Sequence, residues 1–175
     1  MKNAHIALAL GAALLAQTAL LRIVAGVPAP VDLALIVVVY TALARGPVAA
    51  IWTGSVAGLL QDVLSGGIIG PSGLAKCLVG ALVAQGSTRL VVAALWSRFI
   101  VYVAASLLHA GCFFGVYMLI DTGAPGASVL FVVTQALVNG LVFVSGVGLA
   151  HAAPAAYRRL RSFRTPLAVR RWELE

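Results

Sequence analysis

The stretch that decides the fold runs from Trp52 to Lys76 and reads WTGSVAGLLQDVLSGGIIGPSGLAK. It consists of an apolar run, a break rich in glycine with one proline, and the start of a second apolar run. Glycine and proline in such a break end helices and form turns. The stretch therefore predicts two apolar helices joined by a tight turn or a partly unwound segment.

Small residues recur at a fixed spacing in the first of these helices. A spacing of four places Ala50, Gly54, Gly58 and Asp62 along one helical stripe. Small residues allow the backbone of another helix to approach closely. The stripe predicts a close helix contact, either within the protein or against the membrane helix of a partner.

The whole chain has the composition of a membrane protein. Of its 175 residues, 62% are hydrophobic and 10% are charged, and the mean hydropathy is +1.05. A soluble domain carries far more charge. Six apolar runs are candidate spans: Ala4–Leu21, Val31–Ala44, Val48–Leu64, Ile68–Gly86, Phe99–Ile120 and Ala127–Ala150. We therefore predict an all-α integral membrane protein with six transmembrane helices in residues 1–152 and a basic cytoplasmic tail in residues 153–175.

The second run is the shortest of the six. Its fourteen residues would span only about 21 Å at 1.5 Å per residue. It must start nearer Pro28 or Pro30, tilt little, or lie partly buried in protein.

Basic residues fall almost entirely on one side of the predicted spans. Lys2, Arg45, Arg89, Arg98 and six tail arginines make ten on that side, against Arg22 on the other. The positive-inside rule then places both termini in the cytoplasm. The tail arginines are Arg158, Arg159, Arg161, Arg164, Arg170 and Arg171. We expect them to face anionic lipids, so the net charge of +7 does not indicate a nucleic-acid partner.

Two ionisable residues, Asp62 and Lys76, lie within apolar sequence, where a charge is costly. If the chain reverses between them, they reach similar depth and form an ion pair. Alternatively, Asp62 caps the amides of Ser65–Gly67 and Lys76 extends its stem outward. Asn139, in the last span, is expected to hydrogen-bond to a neighbouring helix.

Groups that would indicate an enzyme are missing from the sequence. It has no nucleophile-and-base set, no phosphate-binding loop and no paired catalytic carboxylates. The two cysteines and three histidines have no metal-ligand spacing. The sequence predicts a non-enzymatic protein without metal or cofactor.

Several segments resemble the MreD family of rod-shape-determining proteins. They are Pro30-Val-Asp32 with the apolar run to Tyr40, the glycine-spaced helix ending in Gln61-Asp62 and Ser65-Gly66, Val138-Asn139-Gly140, and the arginine-rich tail. The resemblance implies a membrane subunit of the elongation machinery (elongasome) that binds MreC and supports lateral peptidoglycan synthesis and rod cell shape. Through MreC it would act with RodA, its class B penicillin-binding transpeptidase and MreB.

MreD-like proteins are also similar to the substrate-binding subunits of energy-coupling-factor transporters, which have a six-helix fold. That similarity leaves an alternative function, a small-molecule-binding membrane subunit of a vitamin-type transporter. A bound ligand should then be enclosed by several polar groups. Association of the chain with a second copy of itself also stays open.

Overall fold

The computed structural model describes residues 2–23, 31–87, 95–120 and 128–162 of the chain. All regular structure in these residues is helical. The six helices are α1 (Lys2–Ile23), α2 (Leu33–Arg45), α3 (Pro47–Ser65), α4 (Pro71–Ser87), α5 (Leu95–Leu119) and α6 (Val129–Ser162). Arg89, Arg164, Arg170, Arg171 and the predicted outer turn Asp121–Gly126 lie outside the described residues.

Short helix α2 lies at the centre of the bundle and contacts all five other helices. At 13 residues it is about 20 Å long, well short of a bilayer core of about 30 Å. Of the arrangements that the sequence left open for this run, the structure shows burial within protein. Three apolar clusters surround the helix, and each contains residues of α2.

Helices α3 and α4 form the hairpin that the opening stretch predicts. Gly66 ends α3 in the left-handed conformation, with φ of 67°, and Gly70 precedes α4 with φ of 128°. These backbone angles favour glycine because it has no Cβ. The turn occupies residues 66–70, so α4 begins at Pro71, three residues later than the predicted run.

Other helix boundaries also differ from the predicted ones. Helix α5 begins at Leu95, four residues before the predicted run, and so includes Trp96 and Arg98. Helix α6 continues to Ser162, through the predicted boundary between residues 152 and 153. Its first turn is capped by Ser128, whose hydroxyl oxygen accepts a hydrogen bond from the Phe131 amide at 3.2 Å.

Among the described residues, three helical segments are long and apolar enough to cross a membrane: Pro47–Ser65, Leu95–Leu119 and the first part of α6, Val129–Gly146. A third or less of each of these windows is buried inside the protein. Large apolar side chains such as Leu15, Trp52, Ile100 and Leu141 face outward. An outward surface of this kind suits lipid better than water.

Candidate functional site

The glycine stripe of α3 packs directly against the backbone of α4. A Cβ added at Gly58 would lie 2.3 Å from the Ser72 carbonyl oxygen, and one added at Gly54 would lie 2.6 Å from that of Lys76. Ala50, fully buried, lies opposite Gly80 in the same contact. All three small residues of the predicted stripe therefore face a helix of the same chain.

Asp62, the last member of the stripe, lies at the start of α4. One carboxylate oxygen, Oδ2, accepts hydrogen bonds from the amides of Gly70 at 2.8 Å and Ser72 at 3.2 Å. A carboxylate at a helix N-terminus satisfies free amides and complements the helix dipole. Asp62 thus caps α4, and the amides it binds lie beyond the Ser65–Gly67 segment that the sequence indicated.

Lys76 forms its ion pair with Asp32 and not with Asp62. Its Nζ lies 2.6 Å from Asp32 Oδ2, and the two side chains are 0% and 4% exposed. The predicted pairing treated Lys76 and Asp62 as equally deep, but Asp62 binds the first turn of α4. Lys76 is four residues beyond Ser72, about 6 Å further along the helix. The structure therefore replaces the Asp62–Lys76 pair with an Asp32–Lys76 pair between α2 and α4.

Asp32 joins this pair to the start of α2. Its other carboxylate oxygen, Oδ1, accepts a hydrogen bond from the Leu35 amide at 2.9 Å, which makes Asp32 the N-cap of α2. Its own amide donates to Asn139 Oδ1 of α6 at 2.8 Å, and Asn139 Nδ2 donates to Ser106 Oγ of α5 at 3.0 Å. Hydrogen bonds around one carboxylate thus connect α2, α4, α5 and α6.

His109 of α5 completes the network. Its Nε2 lies 3.1 Å from Lys76 Nζ. A lysine ammonium can only donate, so Nε2 must accept and the ring proton belongs on Nδ1. The charge of Lys76 is therefore held between a carboxylate and a neutral imidazole, in a place where an unpaired charge would be costly.

A cavity of about 610 Å³ lies beside the network, at the end of the bundle where α2, α4 and α6 begin. Its polar lining includes Asp32, Asp62, His109, Gln61 and Gln135. Its aromatic lining consists of Phe113, Phe114, Tyr117 and Phe131. The cavity is therefore amphipathic, with carboxylates and amides on one part and aromatic rings on another.

Sequence reasoning identified Lys76, Asp62 and Asn139 but missed the roles of Asp32, Ser106 and His109. Asp32 had no predicted role beyond the family resemblance, and His109 was one of three histidines without metal-ligand spacing. A usable signal for Asp32 was its place directly before an apolar helix, which is typical of an N-cap. No group of three or more histidine, cysteine or acidic side chains in the described part of the chain could hold a metal ion.

Comparison with known families decides the assignment. The sequence model of the family described as rod shape-determining protein MreD matches residues 4–147. The chain belongs to the MreD family. Neither a search of curated proteins nor a search of solved structures found a match. The matched range of the MreD family model includes every residue of the buried network, and family membership makes this a membrane protein of rod-shape determination.

Proposed function

We propose that this MreD-family protein is a non-enzymatic inner-membrane subunit that binds MreC and so supports lateral peptidoglycan synthesis by the elongation machinery. Through MreC, the protein would act with RodA, its class B penicillin-binding transpeptidase and MreB. Shape determination follows from the family match. The partner and its binding surface are our proposal, and the exposed side of α2 is the observation that carries it.

Within the part of the chain that the structure describes, no helix packs over the side of α2 that carries Tyr40. Ile36 packs toward the cluster shared with α4, α5 and α6, whereas Val37 packs toward the cluster shared with α1 and α3. Tyr40 lies between these two sides and is 56% exposed. Within the described residues, α1 and α6 do not contact each other, so the central helix is open to the outside between them.

A tyrosine in this place favours a protein partner over lipid. Tyr40 is halfway along α2, and its hydroxyl makes no hydrogen bond within the described residues. Tyrosine is usual at the membrane interface, where its hydroxyl reaches water, but a hydroxyl surrounded by hydrocarbon is unfavourable. A single helix lying between α1 and α6 would cover Tyr40, so we assign this surface to the membrane helix of MreC.

Photocrosslinking tests this assignment. Benzoylphenylalanine placed at Tyr40 should form a covalent adduct with co-expressed MreC in membranes. The matched control is Val56, which lies on the outer side of α3 at a similar distance from the same end of the bundle and is 45% exposed. Adducts from Val56 alone, or from neither position, would contradict the proposed surface.

We also propose six transmembrane passes with both termini in the cytoplasm, on the strength of the basic asymmetry of ten to one. The end of the bundle that holds the cavity would then face the periplasm. A cysteine placed at Ser65 in a variant lacking Cys77 and Cys112 should react with an impermeant thiol reagent in intact spheroplasts. If a cysteine at position 162 reacts and one at position 65 does not, the protein has the opposite orientation in the membrane.

A further inference from the structure

The cavity beside the network has the size and lining of a small-molecule site. Its volume of about 610 Å³ lies within the range of roughly 300 to 1,000 Å³ that is usual for ligand pockets. Such pockets combine apolar and aromatic walls with a few polar groups that orient the ligand. Neither the family assignment nor the proposed MreC surface on α2 uses this cavity.

The hydrogen-bond acceptors at the cavity are only partly satisfied. Asp32 uses one oxygen for the Leu35 amide and the other for Lys76. Asp62 uses only Oδ2, and its Oδ1 accepts no hydrogen bond from the described residues. The buried Gln61 Oε1 likewise has no donor. Buried acceptors usually have partners, and no described residue provides one for Gln61 Oε1, so this oxygen and Asp62 Oδ1 are both free to accept a hydrogen bond from a ligand.

The charge at the cavity favours a cationic donor. Lys76 neutralises Asp32, so Asp62 provides the remaining full charge among the lining residues. The N-terminus of α4 offsets about half of a unit charge, which leaves the site negative. Several aromatic rings stand in the same cavity, and Phe113 packs against Phe114 at 5.7 Å and Tyr117 at 4.9 Å between ring centroids. Aromatic faces attract ammonium groups as well as apolar surface.

We propose that this cavity binds a primary ammonium group carried on a compact apolar body. The ammonium would donate to Asp62 Oδ1 and to the Gln61 amide, and the apolar body would lie against Phe113 and its aromatic neighbours. Two sources provide this chemistry: a free amine, and the ethanolamine headgroup of a phospholipid in the surrounding membrane. The primary ammonium, which Asp62 and Gln61 would bind, is common to both.

Phenethylamine is a suitable probe because it joins an ammonium to one aromatic ring. Added to the detergent-solubilised protein, it should raise the midpoint of thermal unfolding in a saturable way. The controls of matched shape are 2-phenylethanol, which is neutral, and 3-phenylpropionate, which is anionic. Equal responses to all three compounds, or a response to none, would overturn the proposal.

Two variants connect the binding to the named groups. Asp62→Asn keeps an acceptor for the Gly70 and Ser72 amides but removes the charge, and it should weaken phenethylamine binding at least about tenfold, as expected for a lost charged hydrogen bond. Because Asp62 also caps α4, Phe113→Leu provides a second test that leaves the cap intact. It should weaken binding about three- to fivefold through lost packing between Phe113 and the ring of phenethylamine, whereas Phe99→Leu, near the other end of α5, should not. Wild-type affinity in both Asp62→Asn and Phe113→Leu would refute the site.

Native mass spectrometry distinguishes the two sources. If the headgroup is the ligand, the purified protein should retain phosphatidylethanolamine in preference to phosphatidylglycerol, and phenethylamine should displace it. If a free amine is the ligand, phenethylamine should bind without displacing any lipid. Either result supports the ammonium site, whereas preferential retention of phosphatidylglycerol in the cavity, displaced by 3-phenylpropionate, would contradict it.

Discussion

Removing Lys76 tests the buried network most directly. In Lys76→Met the Asp32 carboxylate stays buried at the start of α2 without its cation, and His109 loses its donor. Removing one member of a buried ion pair typically costs about 3 to 5 kcal/mol, because the other charge is left uncompensated. With a separation of 2.6 Å and side-chain exposures of 0% and 4%, we expect a cost in that range.

The double variant separates the pair from its surroundings. Asp32→Asn keeps a side-chain oxygen for the Leu35 amide, so α2 retains its cap. In the double variant with Lys76→Met, neither buried charge remains. We expect the loss of stability to be smaller than the sum of the two single losses by about 2 to 3 kcal/mol.

Reversible unfolding in mixed micelles of dodecyl maltoside and sodium dodecyl sulfate measures these differences. The matched control is the cycle of Asp62→Asn with Lys76→Met, since Asp62 binds backbone amides of the α3–α4 turn and α4. That control cycle should be additive within about 0.5 kcal/mol. Additive losses for Asp32 and Lys76, or strong coupling of Lys76 with Asp62, would refute the reasoning.

Two further predictions concern the α3–α4 contact and the basic tail. Gly58→Ala should destabilise the protein by about 1 to 3 kcal/mol in the same assay, because the new methyl group meets the backbone of α4. Gly111→Ala is the control, since a Cβ there would have nothing within 4 Å, and it should not destabilise the protein. Equal effects of the two substitutions would contradict the close contact. A peptide of residues 157–171 should bind anionic vesicles in a salt-dependent way, at about 1 kcal/mol for each arginine near the surface, and replacing its six arginines with glutamine should remove that dependence. Equal binding of the native peptide to neutral vesicles would exclude the electrostatic interpretation.

The helices could be predicted from the sequence because local signals mark them. Apolar runs end at glycine, proline or an acidic cap, and the turn at residues 66–70 follows from its glycines. The predicted run starts too late, at Phe99, because Ser97 and Arg98 are polar and interrupt the apolar sequence although both belong to α5. Helix existence depends on a run of residues, whereas a helix end depends on one or two.

The partner of Lys76 could not be predicted in the same way, because pairing depends on how the helices are rotated and ordered in space. Asp62 is close to Lys76 in the sequence and lies in the same hairpin, but its carboxylate accepts hydrogen bonds from the amides at the start of α4. Asp32, 44 positions away, approaches only because α2 lies at the centre of the bundle. Lys76, Asp62 and Asn139 could therefore be predicted from the sequence as polar residues within the bundle, whereas the partner of Lys76 could not.

The central position of α2 also explains why this bundle contains a network of buried charges, although burying charges is energetically unfavourable. A 13-residue helix leaves the amides of its first turn inside the protein, where water cannot satisfy them. Asp32 caps that turn, but a buried carboxylate requires a counter-charge, which Lys76 supplies from α4. Asn139 fixes the same turn from α6 by accepting the Asp32 amide. The short central helix thus requires Asp32 as its cap, and the buried cap requires Lys76 as its cation. Together with Asn139 these contacts fix one relative arrangement of α2, α4 and α6, and the amphipathic cavity lies beside the start of α2.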